Sequence, residues 1–459
     1  MACPFPRIVS LALIAACAAV QAQPQPAAVS TRPDPFTTWQ TLDAGRIASS
    51  WSSLPSGEGC RDDDRQLSAH ALLLLESSQP KQDVQPGLFS LVQTRHRLQA
   101  DAFGQWGCVF AQLALQRQVS VQGDYWSWDG SALSWRIDEH WRVGAGRIAR
   151  HWGPGWDGSL ILGTAARPIP SLSVDAATGP LDHSRWWWWL GEVDASAFFG
   201  RLEDERDDYD RPFLMGMRLV VRPWPWLELA VSRTAMWGGD GRSNSARTFL
   251  RSVLARDHHC NGTDCSNQPG NQLGGYDMRL GLDAWLPGVA LYGQLVGEDS
   301  RPDDIPVPAQ NMYLAGVDWR HAGAMAFFEW TDSLTNAGGR AHPGVAYNHS
   351  IYTDGYRYKG QPLGHWSDGD TNLWSVGGML RDVLGGQALA VLRYGQLDQA
   401  GINPSWPDAR LGGASLQWRR TFDRAFALTL ALDHLQLSRG GEPDWRDTQL
   451  RVQLQAWLH

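Results

Sequence analysis

The stretch Tyr276-Asp277-Met278-Arg279-Leu280-Gly281-Leu282-Asp283-Ala284 decides the fold. Tyr276, Met278, Leu280, Leu282 and Ala284 fall on one face of an extended chain; Asp277, Arg279, Gly281 and Asp283 fall on the other. Successive strand side chains point to opposite faces, so a period of two with one apolar face marks a half-buried strand. The pattern recurs. Met217, Leu219 and Val221 alternate with Arg218 and Arg222; Ala414, Leu416 and Trp418 alternate with Ser415, Gln417 and Arg419. Near the end, Leu450, Val452, Leu454 and Ala456 alternate with Arg451, Gln453 and Gln455. A soluble sandwich gives the same local alternation, so the connections decide. Tight breaks at Pro223–Pro225, Pro287-Gly288, His321–Gly323, Gly385-Gly386 and near Asp423 alternate with longer polar stretches at about 238–275, 298–310, 332–372, 398–410 and 438–446. Short turns at one end and long loops at the other predict an outer-membrane β-barrel.

Composition agrees. The chain has 459 residues, a formal net charge of −8, 48 Gly and 25 Trp. Its aromatic content is too high for disorder. The acidic balance and the lack of a basic block exclude nucleic acid as the main partner. After residue 22 no apolar run approaches the ~20 residues that a spanning helix needs. Only helices and closed barrels satisfy their backbone in lipid. The 372 residues from 88 onward allow roughly 21 per strand for eighteen antiparallel strands, or roughly 23 for sixteen, where a spanning strand needs ~9–11. Indole rings collect at membrane interfaces, and Trp224, Trp226 and Trp285 flank predicted turns. The run Trp186–Trp189, placed on a strand, sends two rings to lipid and two to the lumen.

Residues 1–22 are expected to be a signal peptide, with Arg7, an apolar Ile8–Val20 and a small residue, Ala22, before the cut. Ile14-Ala15-Ala16-Cys17 also fits a lipoprotein box. Residues 23–87 are polar with helical possibilities, starting at Thr38 and over Asp62–Glu76, and are expected to form a small periplasmic plug-like region. Residues 88–459 are expected to form the barrel. Four mature cysteines in an exported chain suggest disulfides. Cys260–Cys265 is the shortest loop to close, which leaves Cys60–Cys108. His258 and His259 beside Cys260 offer only a weak zinc alternative, and no metal site is expected.

Three segments carry a family resemblance. The first is His151-Trp152-Gly153-Pro154-Gly155-Trp156-Asp157-Gly158-Ser159-Leu160-Ile161-Leu162, followed by Ala166-Arg167-Pro168-Ile169-Pro170. The second is Phe199-Gly200-Arg201-Leu202-Glu203-Asp204-Glu205-Arg206, leading to Gly216-Met217-Arg218. The third is Tyr347-Asn348-His349-Ser350-Ile351-Tyr352-Thr353-Asp354-Gly355-Tyr356-Arg357-Tyr358, with Gly364-His365 soon after. Together they resemble the Wzi family of capsule assembly proteins. The resemblance implies an 18-stranded outer-membrane barrel of a Gram-negative cell, closed by its loops. It implies a monomeric lectin that attaches capsular or extracellular polysaccharide to the surface. The partners so implied are that polymer and outer-membrane lipids, lipopolysaccharide included. No cofactor and no catalytic activity come with it. The alternative is a porin for sugars or anionic solutes.

The residues allow the same chemistry. Indole faces stack on sugar rings, and carboxylate, amide and guanidinium groups bind hydroxyls. Trp152, Trp156, Asp157 and Arg167 are candidates in the first motif; packing of this segment inside the lumen is the competing account. Tyr352, Asp354, Tyr356, Arg357, His365 and Asp368 are candidates in the third, in a long loop expected outside. Arg357 suits a uronate carboxylate if the polymer is acidic; a loop packed on itself is again the competing account. The cluster Glu203–Asp210 holds six carboxylates in eight residues, read as a solvated loop tip with Ca²⁺ as the lesser reading. No nucleophile elbow, HExxH or phosphate loop is present.

Overall fold

The computed structural model describes residues 50–52, 68–77, 94–120, 123–179, 181, 186–253, 270–300, 308–399, 401, 408–422, 426–441 and 444–458. Among them one antiparallel sheet closes on itself. Its first six staves are β1 (Ser68–Ser77), β2 (Thr94–Trp106), β3 (Val109–Ser120), β4 (Gly123–Ser127 and Ala132–Arg136), β5 (Trp141–Arg147) and β6 (Pro170–Ala177). Next come β7 (Glu192–Arg201), β8 (Phe213–Trp224), β9 (Leu227–Trp237), β10 (Gln272–Gly281), β11 (Val289–Ser300) and β12 (Pro308–His321). The last are β13 (Ala324–Ala337), β14 (Asn372–Val383), β15 (Gly386–Leu397), β16 (Ala409–Phe422), β17 (Phe426–Ser438) and β18 (Trp445–Leu458). β1 pairs with both β2 and β18, which seals the ring. Both halves of β4 pair with β3, so nineteen strand segments make eighteen staves. An antiparallel ring needs an even number, and eighteen meets that condition.

The alternation at Tyr276–Leu280 has the polarity a membrane demands. Tyr276 and Met278 are exposed outward, whereas Asp277 and Arg279 are buried in the lumen. Leu219, Leu416, Leu450 and Leu454 also point out. A water-soluble sandwich is inside out relative to this. Leu282, Asp283 and Ala284 depart from the expected strand, because β10 stops at Gly281. The Asp283 carboxylate accepts the Gly288 amide at 2.9 Å and fixes a turn instead. Trp224, Trp226 and Trp285 lie exposed at the short turns, Trp224 and Trp226 stacked with ring centroids 5.0 Å apart. Connections at the opposite end are long, including 202–212, 238–271 and 338–371.

Two expectations are corrected. The helix expected over Asp62–Glu76 is not formed in its described part: Ser68–Ser77 is the strand that closes the ring, so the barrel begins before residue 88, and 62–67 fall outside the described residues. Helix propensity is a weak force, and an unpaired strand edge in lipid is a far larger penalty. Trp186–Trp189 does not lie on a strand. It forms a turn ending in a short 3-10 segment, and all four rings are exposed, between 54% and 72%. Residues 1–49 and the helix expected from Thr38 fall outside the described residues, as do Cys60, Cys260 and Cys265. Cys108, at the turn between β2 and β3, is disulfide-bonded.

A closed barrel of this size resists detergent at room temperature. Unheated and boiled samples are therefore expected to migrate differently on a denaturing gel; identical migration counts against the closed ring.

Candidate functional site

The first motif lies in the connection between β5 and β6, on the long-loop end, and turns inward. Gly153, Pro154 and Gly155 form the bend. Gly158 is required by close approach, since a Cβ there lies 2.2 Å from the His365 ring. The segment crosses to the far wall. The Trp156 amide donates to Glu329 Oε2 at 2.7 Å, and its indole Nε1 donates to Asp318 Oδ2 at 3.0 Å. Arg320 lies 5.0 Å over the Trp156 ring, and Arg279 grips Asp318 through two bonds of 2.5 and 2.7 Å. Gln294 donates to Trp152 O at 2.9 Å and accepts the Leu160 amide at 2.7 Å. Near its start, Arg150–Trp152 forms a three-residue antiparallel ladder with Ser50–Ser52.

Asp157 is the strongest tether. Arg393 donates to its Oδ1 from Nη2 at 2.6 Å and from Nε at 2.9 Å, and Ser375 donates to Oδ2 at 2.6 Å. Burial opposes ionisation of this carboxyl, but the Arg393 guanidinium and the Ser375 hydroxyl outweigh it and hold the pKa below the ordinary range.

The third motif folds down as a cap on this plug. The Tyr347 hydroxyl donates to Leu160 O at 2.7 Å, and that of Tyr356 to Ile161 O at 3.0 Å. The Tyr352 hydroxyl donates to Gly238 O at 2.8 Å, and the Gly163 amide to Leu363 O at 2.7 Å. Arg357 closes on Asp368 through two 2.8 Å bonds and donates to Asn348 Oδ1 at 3.0 Å. Plug and cap thus share one buried core with Trp152, Trp156, Leu160 and the three tyrosines.

The second motif ties in a third loop. The Arg206 guanidinium, fully buried, donates to Asp208 at 2.8 and 3.0 Å. It also reaches Gly355 O at 3.1 Å and Arg357 O at 3.0 Å on the cap. Between this loop and the cap a cleft of about 440 Å³ opens at the outer face, lined in part by Glu203, Asp207, Asp354, Arg357 and Lys359.

The structure sorts the candidate residues. Trp152, Trp156, Asp157, Tyr352, Tyr356 and His365 are buried, their polar atoms turned to plug and wall. Arg167 pairs with Asp129 at 2.6 Å and stacks 4.6 Å over Tyr125, away from the cleft. Asp354 and Arg357 line the cleft, with Asp368 behind Arg357. Sequence reasoning missed Gln294, Asp318, Glu329 and Arg393, all on strand faces toward the lumen. The available signal was their charge or amide in the middle of a spanning strand, where an ionisable group needs a partner.

Two buried imidazoles make the plug acid-sensitive. Burial lowers His151 and His365 from about 6.5 to about 4. Such depressed groups favour the folded plug fully above pH 6.5, and the contribution, on the order of 3 kcal/mol each, drains away as the pH falls to 4. Asp370 opposes this: burial raises it to about 6, so its contribution is complete below the ordinary carboxylate value and lost as the pH rises through 6. The two histidines outweigh it. Protease nicking of 338–371 is expected to rise between pH 6.5 and 4, less so in His365→Gln; a flat profile contradicts this balance.

The family model described as capsule assembly protein Wzi matches residues 98–438, more than two thirds of the chain. The chain belongs to the Wzi family. It is an outer-membrane β-barrel. A Klebsiella pneumoniae relative, an uncharacterized 55.8 kDa protein in the cps region, is 33% identical over 186 residues. That match covers 40% of this chain and only 35% of the relative, about a third of its length. Among solved structures, Escherichia coli Wzi superposes with a TM-score of 0.68 at 21% identity, covering 95% of this chain and 89% of that one. It is described as an outer-membrane protein involved in group 1 capsule assembly and a carbohydrate-binding β-barrel.

Proposed function

We propose that this Wzi-family barrel binds an exported capsular or extracellular polysaccharide at its outer face and holds it to the cell, without altering the polymer. The observation that carries this reading is the crossing of the lumen by the plug, pinned at Trp156 and Asp157 to the far wall. A barrel so crossed has its outer surface left to meet a polymer. Asp354 and Arg357 are assigned to that surface. Trp152, Trp156, Asp157, Tyr352, Tyr356 and His365 hold the loops, Asp368 orients Arg357, and Arg167 secures the β4 side. The Arg357 guanidinium faces Asp368 and not a uronate carboxylate of the polymer. Export by residues 1–22, a Cys60–Cys108 bond at the periplasmic rim and a monomeric state complete the proposal.

The test is deletion in the native host. Polymer is expected to be made and exported in normal amount but to appear in the medium, and the complementing gene returns it to the cells. Unchanged cell-bound polymer overturns the reading. Steady conductance of the purified wild-type protein in planar bilayers favours a channel for sugars or anions instead.

A further inference from the structure

The lipid-facing wall is not evenly bulky. On β11, β13, β14 and β16 its outward side chains are large, as at Leu291, Phe328, Trp374 and Leu416. Across β6 and β7 they shrink to methyls. Ala176 and Ala195 pair directly in register, and Ala197 lies next along β7. Trp141 on one side and Leu219 on the other stand above them. The result is a furrow of about 350 Å³ on the outside of the barrel, a volume within the usual range of ligand sites, about 300–1,000 Å³. Small residues let another apolar chain approach the backbone closely, and a gap there forfeits dispersion contacts.

A second observation lies at the upper end of the furrow. Arg233 lines it from a lipid-facing position of β9, two residues beyond the exposed Val231 and opposite Met217. A cation on a lipid-facing wall is unfavourable unless partnered. Its guanidinium donates to Val253 O at 2.9 Å and to the Gln272 side-chain carbonyl. Val253 ends a short helix, α1 (Ala246–Val253), which lies against the outside of the wall. Phe249 of α1 packs 5.6 Å from Trp237 and 5.8 Å from Phe199, and Trp237, outward in register, is buried there. Arg247 and Leu250 of α1 stay exposed. β9 runs from the short turn at Trp226 to the long connection 238–271, so Arg233 and α1 sit toward the outer leaflet. Along the outward positions of β6 to β9 the charged residues are Arg201 and Arg233, with no acid among them.

We propose that this furrow seats one acyl chain of lipid A, the phosphorylated glycolipid of the outer leaflet, with a lipid phosphate held by Arg233 and Arg247. The chain runs down over Ala197 and Ala195 toward Trp141. A membrane-facing furrow is filled by hydrocarbon, and two cations on an acid-free face select an anionic headgroup. Leu250 enters the same leaflet beside it. The barrel thus grips lipopolysaccharide through one side of its wall, apart from any polymer held at its outer face.

The test titrates the purified full-length protein in detergent with three probes, read by native mass spectrometry: bisphosphorylated lipid A, the same lipid without its phosphates, and phosphatidylglycerol. One lipid A is expected to bind at least about tenfold more tightly than either other probe. Ala197→Leu raises the furrow floor without adding a polar group and is expected to weaken lipid A at least about tenfold. Arg233→Gln should weaken it as much. Arg247→Gln, on the exposed face of α1, should weaken it by a smaller factor. Should Ala197→Leu lose the wild-type heat shift on gels, Ala195→Val is the milder replacement. Undiminished lipid A binding in a furrow variant that keeps the heat shift overturns the seat. Undiminished binding in both arginine variants overturns the phosphate contact. Equal binding of the dephosphorylated lipid or of phosphatidylglycerol overturns the assignment to lipid A, and no binding of lipid A by the wild type overturns the proposal outright.

Discussion

Replacing Asp157 with alanine is expected to open the barrel. The carboxylate is nearly solvent-free, and it receives Arg393 through bonds of 2.6 and 2.9 Å together with Ser375. Removing one member of a buried pair leaves the other unpaired, which costs about 3–5 kcal/mol. Arg393 retains some contact with solvent, so about 3 kcal/mol is the better figure. The penalty falls on the plug rather than on the strands, since each stave keeps its ladder. Wild-type protein in planar bilayers is expected to be silent and Asp157→Ala to conduct in bursts. Asp157→Asn, which keeps the shape and the Ser375 contact but loses the charge, should lie between. An Asp157→Ala protein that stays silent and migrates like wild type on unheated gels removes the tether assignment.

The second large effect lies at Arg206. Its guanidinium bridges Asp208, Glu203 and two cap carbonyls from a fully buried position. Alanine there strands two carboxylates and is expected to destabilise the loop–cap junction by about 3–5 kcal/mol. The junction can open locally without unfolding the barrel. The expected outcome is rapid proteolysis within 202–212 and 342–371, loss of cell-bound polymer, and an unchanged heat shift on gels. Lysine should rescue little, because it has no planar fork for Asp208. Wild-type proteolysis together with full retention of polymer contradicts the assignment.

Much of the fold is legible in the sequence because a membrane imposes two simple periods. Each spanning strand alternates, and each pair of strands is followed by a short turn at one end and a long loop at the other. Asp277 and Arg279 facing in, with Tyr276 and Met278 facing out, follow directly. The site is less legible because its partners are distant: Asp157 meets a residue 236 positions away and Trp156 one 173 away. No local pattern carries that pairing, so Trp-Gly-Pro-Gly-Trp reads equally as sugar platform or as packing. Ser68–Ser77 was illegible for another reason. Its leucines suit a helix, and only the need to close the ring makes it a strand. At Trp186–Trp189 the assumption of a strand failed, and with it the expected division of the rings.

The wall of the barrel is uneven in height. β5 has 7 residues and β6 has 8, whereas β16 and β18 have 14 each. At ~3.3 Å per residue and a tilt of about 40°, that is roughly 18 Å of wall on one side and roughly 35 Å on the other. An outer-membrane apolar band is about 25 Å tall. The bilayer beside the short staves must thin, or the barrel must lean. The four indoles of Trp186–Trp189 stand in the connection that follows β6, where the deficit is greatest. They give the inner leaflet a foothold below the end of the strands, on the side where a leaning barrel or a thinned bilayer has to make up the missing height.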